Sequence, residues 1–136
     1  MRARAAWRYL QQQQQRLRLA DWKISLGTGE RSYLPGETKG GRRLVGSMCN
    51  ADIDQPWADI HIALRRDEAD VRDTIRHELL HVRLGELQWV FEQAIATLPE
   101  GEQQILRGHY DSAEERAVNA IAGALGEGDA LGDGEG

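Results

Sequence analysis

At Asp67 the spacing of apolar residues changes, and that change limits the chain to folds that join a small sheet to helices. Before it the apolar residues alternate. Trp22, Ile24 and Leu26 do so in one segment; Ala58, Ile60, Ile62 and Leu64 do so across Trp57–Leu64, with Asp59, His61 and Ala63 on the other side. A period of two describes a strand with one buried face. After Asp67, the residues Val71, Ile75, Leu79 and Val82 recur every three or four positions, which is one face of a helix. Asp67 suits the N-cap of that helix, and Asp70 falls where a capping-box carboxylate would sit. Leu44–Asn50 reads as another strand and Asp54-Gln-Pro56 as a turn. Gly27–Arg43, with five glycines and Pro35, reads as a polar loop. The expected sheet therefore has three strands, antiparallel or mixed.

Helical spacing also marks the two ends of the chain. Ala3, Ala6, Trp7, Leu10, Gln14 and Leu17 predict a basic amphipathic helix over 3–19, within the first twenty residues. The helix after Asp67 should reach at least Leu84, with Gly85 as a break, and Leu87–Leu98 should be helical until Pro99. Glu102–Arg107 is expected to be a short segment leading into an irregular Gly108-His-Tyr-Asp111. A last helix then begins near Ser112, with Val118, Ile121, Ala122 and Leu125 on its apolar face. Glycines should stop it at Gly126. Ala130 and Leu131 are the only apolar residues of 126–136, so this acidic stretch is expected to be a disordered tail. The fold class is α+β, with a small three-stranded sheet packed on helices and one domain over 1–125.

Composition excludes several function classes. A chain of 136 residues can build one core, and its apolar runs of only a few residues rule out a membrane-spanning helix. The basic start, Met1-Arg-Ala-Arg, runs into Gln11–Gln15 instead of an apolar stretch, so no secretion signal is read. The single cysteine, Cys49, permits no internal disulfide and suits a reducing compartment, with the cytoplasm expected. The net charge of −5 is unevenly spread. Arg2, Arg4, Arg8, Arg16, Arg18 and Lys23 against Asp21 give +5 over 1–23, while Glu127, Asp129, Asp133 and Glu135 give −4 over 126–136. The basic end raises the question of nucleic acid or an acidic partner, although no recognisable binding module accompanies it. A solvated helix face is the plainer reading.

One segment carries chemistry: His77-Glu-Leu-Leu-His81, in the middle of the helix after Asp67. Positions four apart lie one turn apart on one helix face, so His77 and His81 can offer two imidazole nitrogens to one ion. Glu78 projects about 100° round the helix from His77, beside the ion instead of onto it. A carboxylate there can take a proton from an activated water and return it to a leaving amine. Zinc needs a third protein ligand if water is to hold the fourth position. His61, His109, Glu114 and Glu115 are the candidates. His61 lies on the polar side of a strand, and His109 in an irregular stretch where it could equally touch substrate. Glu115 is favoured, with Asn119 four residues on to support it. Glu114, nearer the centre of the apolar stripe, remains open. Trp57, Trp89 and Phe91 read as core residues and not as a substrate pocket.

With Ala58-Asp-Ile-His-Ile-Ala-Leu64 ahead of His77-Glu-Leu-Leu-His81, and Glu115-Arg-Ala-Val-Asn-Ala-Ile-Ala122 after it, the chain resembles a minimal zincin of the gluzincin type over residues 20–125. It is similar to small metallopeptidases of bacteriophages and prophages, and more distantly to ImmA/IrrE-type and SprT-like peptidases. The resemblance implies a zinc metallopeptidase holding one Zn2+ through His77, His81 and Glu115, with Glu78 as the catalytic base. Val118, Ala120 and Ile121 depart from the usual Ala before and aromatic after Asn119, which keeps Glu114 in play as the ligand. The expected partner is a peptide or protein substrate, extended along an exposed strand edge at 57–64. His109 or Tyr110 would supply an oxyanion donor. The alternative is a catalytically silent zincin scaffold that acts on DNA or a protein through its basic N-terminal helix. A non-peptide metal hydrolase is a third reading. Oligomeric state and substrate identity have no signature in the residues.

Overall fold

A computed structural model describes residues 1–28, 32–33, 47–48, 57–62 and 67–135. The fold is α+β, and the chain packs as two compact units, Met1–Arg83 and Leu84–Gly136. The boundary falls inside the stretch expected to be one domain. The first unit holds α1 (Ala3–Arg16), β1 (Lys23–Gly27), β2 (Ser32–Tyr33), β3 (Ser47–Met48), β4 (Trp57–His61) and α2 (Glu68–Arg83). The second holds α3 (Gly85–Ile95) and α4 (Glu100–Glu135).

Among the described residues the sheet has the order β2-β1-β4-β3. Its centre is a parallel pair, with Ile24 opposite Ala58 and Leu26 opposite Ile60, extended by the Ile62 amide donating to the Gly27 carbonyl at 2.8 Å. The three strands expected are thus corrected. β2 adds an antiparallel edge to β1 inside the stretch read as loop, and β3 pairs antiparallel with β4. β3 lies within the strand expected at Leu44–Asn50, whereas β2, two residues long, is too short for any apolar period to reveal. The rest of the Gly27–Arg43 loop and of the Leu44–Asn50 strand, the turn at Asp54–Pro56, and Ala63 and Leu64 lie outside the described residues.

The alternation in β1 and β4 does what its period requires. Ile24, Leu26, Ala58, Ile60 and Ile62 are buried in one cluster with Val71, Ile75, Leu79 and Val82 of α2 and Ala6, Tyr9 and Leu10 of α1. On the opposite face Ser25 donates a hydrogen bond to Asp59 across the central pair. His61 faces Gly27 so closely that a Cβ at position 27 would lie 2.6 Å from its Nδ1, so only glycine fits beside that ring.

α1 ends earlier than the 3–19 expected. Arg18 takes a left-handed φ of 57°, and the Leu19 amide returns to the Gln14 carbonyl at 2.9 Å. The Gln14 side-chain amide then donates to the Leu19 and Trp22 carbonyls at 2.9 and 2.8 Å, fixing the turn into β1. Gln14, read as part of the buried stripe, is a clip; Tyr9 and Gln13 are the buried neighbours of Ala6 and Leu10. α2 starts as expected, with Asp67 Oδ1 accepting from the Asp70 amide at 2.9 Å.

In the second unit two expectations fail. α4 passes through Gly108–Asp111 without the expected break and continues beyond Gly126 to Glu135. A glycine costs a helix only about 1 kcal/mol relative to alanine, whereas proline stops it, and no proline follows Pro99. Arg107, at the end of the expected short segment Glu102–Arg107, makes a two-pronged ion pair with Glu92 of α3 at 2.8 to 3.1 Å. The Gln103 amide donates to the Leu98 carbonyl at 2.8 Å and closes the connection from α3. Val118 and Ala122 are buried, but Ile121 is exposed. Trp57, Trp89 and Phe91, expected in the core, are only half-buried.

Candidate metal centre

The central part of α2 is held from below by the buried stripe Val71, Ile75, Leu79 and Val82. That anchoring fixes the rotation of the helix, and with it the direction of His77 and His81, both half-buried. Their Nε2 atoms stand 3.2 Å apart, with ring centroids at 4.9 Å and planes inclined by 68°. Two ligand bonds of about 2.0–2.1 Å meeting at a tetrahedral angle would separate their nitrogens by about 3.3 Å. The two imidazoles therefore have the spacing that one tetrahedral ion requires. Glu78, between them in sequence, is 8% exposed.

An arginine next to the first histidine was missed by the sequence reading. Arg76 is 6% exposed, and its Nη1 donates to the hydroxyl of Tyr9 on α1 at 2.6 Å. Its Nη2 reaches Asp73 at 3.5 Å. Arg72 lies over the Tyr9 ring, 5.2 Å from its centre, and pairs with Glu68 at 3.0 Å. Tyr9 thus fastens α1 to α2 one residue before His77. The signal was present, since Tyr9 stands three residues after Ala6 and four before Gln13 on the buried face of α1.

The other expected residues are on α4, in the second unit. Glu115 is exposed, as are Asn119 and His109. Glu114 is half-buried and accepts a hydrogen bond from the Tyr110 hydroxyl at 3.0 Å. The Tyr110 ring stacks on Phe91 at 4.6 Å and 17°. Burial, then the Glu114 acceptor and its charge, push the Tyr110 hydroxyl well above the usual tyrosine range, so it remains a donor. Glu114 therefore has a partner that accounts for its half-buried position, one turn from Tyr110. Glu92, on the neighbouring helix, is held below the usual carboxylate range by its hydrogen bonds from Arg107.

The substrate edge expected at 57–64 is taken up by β3 at Ala58 and Asp59. β4 has β1 on one side and β3 on the other, with Ser47 opposite Asp59 and Met48 opposite Ala58. A peptide cannot add to β4 where β3 already takes its backbone hydrogen bonds. His61 lies beside Gly27 on this strand. No described helix is long and apolar enough to cross a membrane. Against known proteins, no family model, no curated protein and no solved structure matches the chain.

Proposed function

We propose that the protein is a zinc-dependent metallopeptidase. The observation that carries this reading is the 3.2 Å separation of the His77 and His81 Nε2 atoms on a helix anchored by its opposite face. His77 and His81 would be completed by Glu115 as the third ligand that zinc needs. Two imidazoles and one carboxylate would suit zinc. Glu115 is preferred to Glu114 because the zincin resemblance matches Glu115 and Asn119.

When bound there, zinc would supply Lewis acidity to the attacking water and the scissile carbonyl. Glu78 is the proton carrier: it accepts the proton of the attacking water and delivers it to the amine that leaves. Its near-complete burial limits competing hydrogen bonds from solvent. Arg76 and Tyr9 tie α1 to the helix that bears these residues, so they position the histidines without touching substrate.

The test is Glu78→Gln. The variant should retain its zinc, since Glu78 is not a ligand, and lose hydrolysis of an unstructured protein substrate by about 10²–10⁴-fold, the usual contribution of a general base. A variant that loses its metal would give Glu78 a different role. Zinc bound without hydrolysis by the unaltered protein would turn the assignment toward a silent metal-binding scaffold.

A further inference from the structure

We propose that the exposed face of α1 is a docking surface for duplex DNA. The charge of the chain is divided between its two units. Met1–Arg83 carries fifteen basic residues against eleven acidic ones, and Leu84–Gly136 carries two against eleven. A polyanion is therefore drawn to the first unit only. On α1, Arg4, Arg8, Gln11, Gln12, Gln15 and Arg16 are exposed, and the helix contains no acidic residue. Arg4, Arg8, Gln12 and Arg16 are successive i+4 positions, which form one row about 18 Å long at 1.5 Å per residue. Arg2 and Arg18, also exposed, extend the positive charge past both ends of the helix.

The composition of this face selects among polyanionic partners. A protein interface needs apolar or aromatic anchors at its centre, and every large side chain exposed on α1 is arginine or glutamine. An anionic membrane surface would take the apolar side of an amphipathic helix, but Ala6, Tyr9 and Leu10 are already buried in the core. Nucleic acid asks only for what is exposed: guanidinium groups for phosphates, and amides that both donate and accept toward base edges. A helix with side chains is about 10–12 Å wide and enters the B-form major groove of about 12 Å, whereas the A-form major groove of duplex RNA is too narrow. Duplex DNA is the partner that fits both the charge and the width. This inference is independent of hydrolysis, because no residue of the metal centre takes part.

The experiment uses the full chain and a fluorescein-labelled mixed-sequence DNA duplex, followed by anisotropy at increasing salt. Binding in the range of about 10⁻⁶–10⁻⁴ M is expected, as for contacts made mainly to phosphate. Three arginine–phosphate contacts should weaken binding about 40-fold between 50 and 200 mM salt. The variant Arg4→Gln/Arg8→Gln/Arg16→Gln keeps good helix formers and should lose most of that salt dependence, with an unchanged circular dichroism spectrum and zinc content. Absence of binding at 50 mM salt, or equal binding by the triple variant, would overturn the proposal. Stronger binding to duplex RNA, to single strands or to phosphatidylserine vesicles than to duplex DNA would overturn the choice of partner.

Discussion

Replacing Tyr9 by phenylalanine tests the connection between α1 and the histidine-bearing helix. The substitution removes one oxygen and leaves the ring beneath Arg72. That oxygen accepts from Arg76 at 2.6 Å, and both residues are buried, at 8% and 6% exposure. A hydrogen bond to a charged group is worth about 1.5–3 kcal/mol. Arg76 keeps its contact with Asp73 at 3.5 Å, and the loss should be about 2 kcal/mol. In a unit the size of Met1–Arg83 each kcal/mol moves the midpoint by about 4–8 °C, which predicts a fall of about 8–16 °C in Tm. Thermal unfolding followed by circular dichroism measures this directly. Adding Arg76→Met completes a double-mutant cycle, and the two substitutions should be strongly non-additive because each removes the same bond. A Tm change below about 2 °C, or additive effects, would refute the assignment of this bond as the tie between the helices.

The proposed metal centre makes two further predictions. The purified protein should hold one zinc per chain, and His77→Ala or His81→Ala should each abolish tight binding, as read by elemental analysis. Full zinc content in either variant would remove the histidine pair from the site. Glu115→Gln should lose zinc under mild chelation while Glu114→Gln keeps it, and Asn119→Ala should lie between, with a 10–100-fold loss if it supports a ligand. If Glu114→Gln is the variant without zinc, the ligand lies one residue earlier on α4. In the second unit, Arg107 holds the Glu92 pKa below the ordinary carboxylate value, so the pair stabilises fully above that value. The contribution is lost as pH falls through the lowered pKa of Glu92. The Tm difference between the protein and Arg107→Gln should therefore be constant near neutrality and shrink in acid. A difference unchanged down to the pH of carboxylate protonation would show that the pair contributes nothing electrostatic.

Several features follow from the residues alone, because they rest on periodicity or on short-range geometry. The alternation in β1 and β4 fixed which side chains enter the core, since successive residues of a strand must face opposite ways. Asp67 marked the start of α2 because a capping oxygen needs only its own next three residues. The approach of His77 to His81 followed from one helical turn. What required tertiary structure depends on partners distant in sequence. Whether β4 is an edge is decided by the pairing of Ser47 and Met48 with it, which no pattern within 57–64 contains. The burial of Arg76 and its bond to Tyr9, 67 positions away, is likewise unreadable from either segment alone. The same holds on α4, where Gly108 looked like a break. An ion pair between Arg107 and Glu92 and the stacking of Tyr110 on Phe91 lie on either side of it, and contacts of that kind outweigh the weak helix propensity of one glycine.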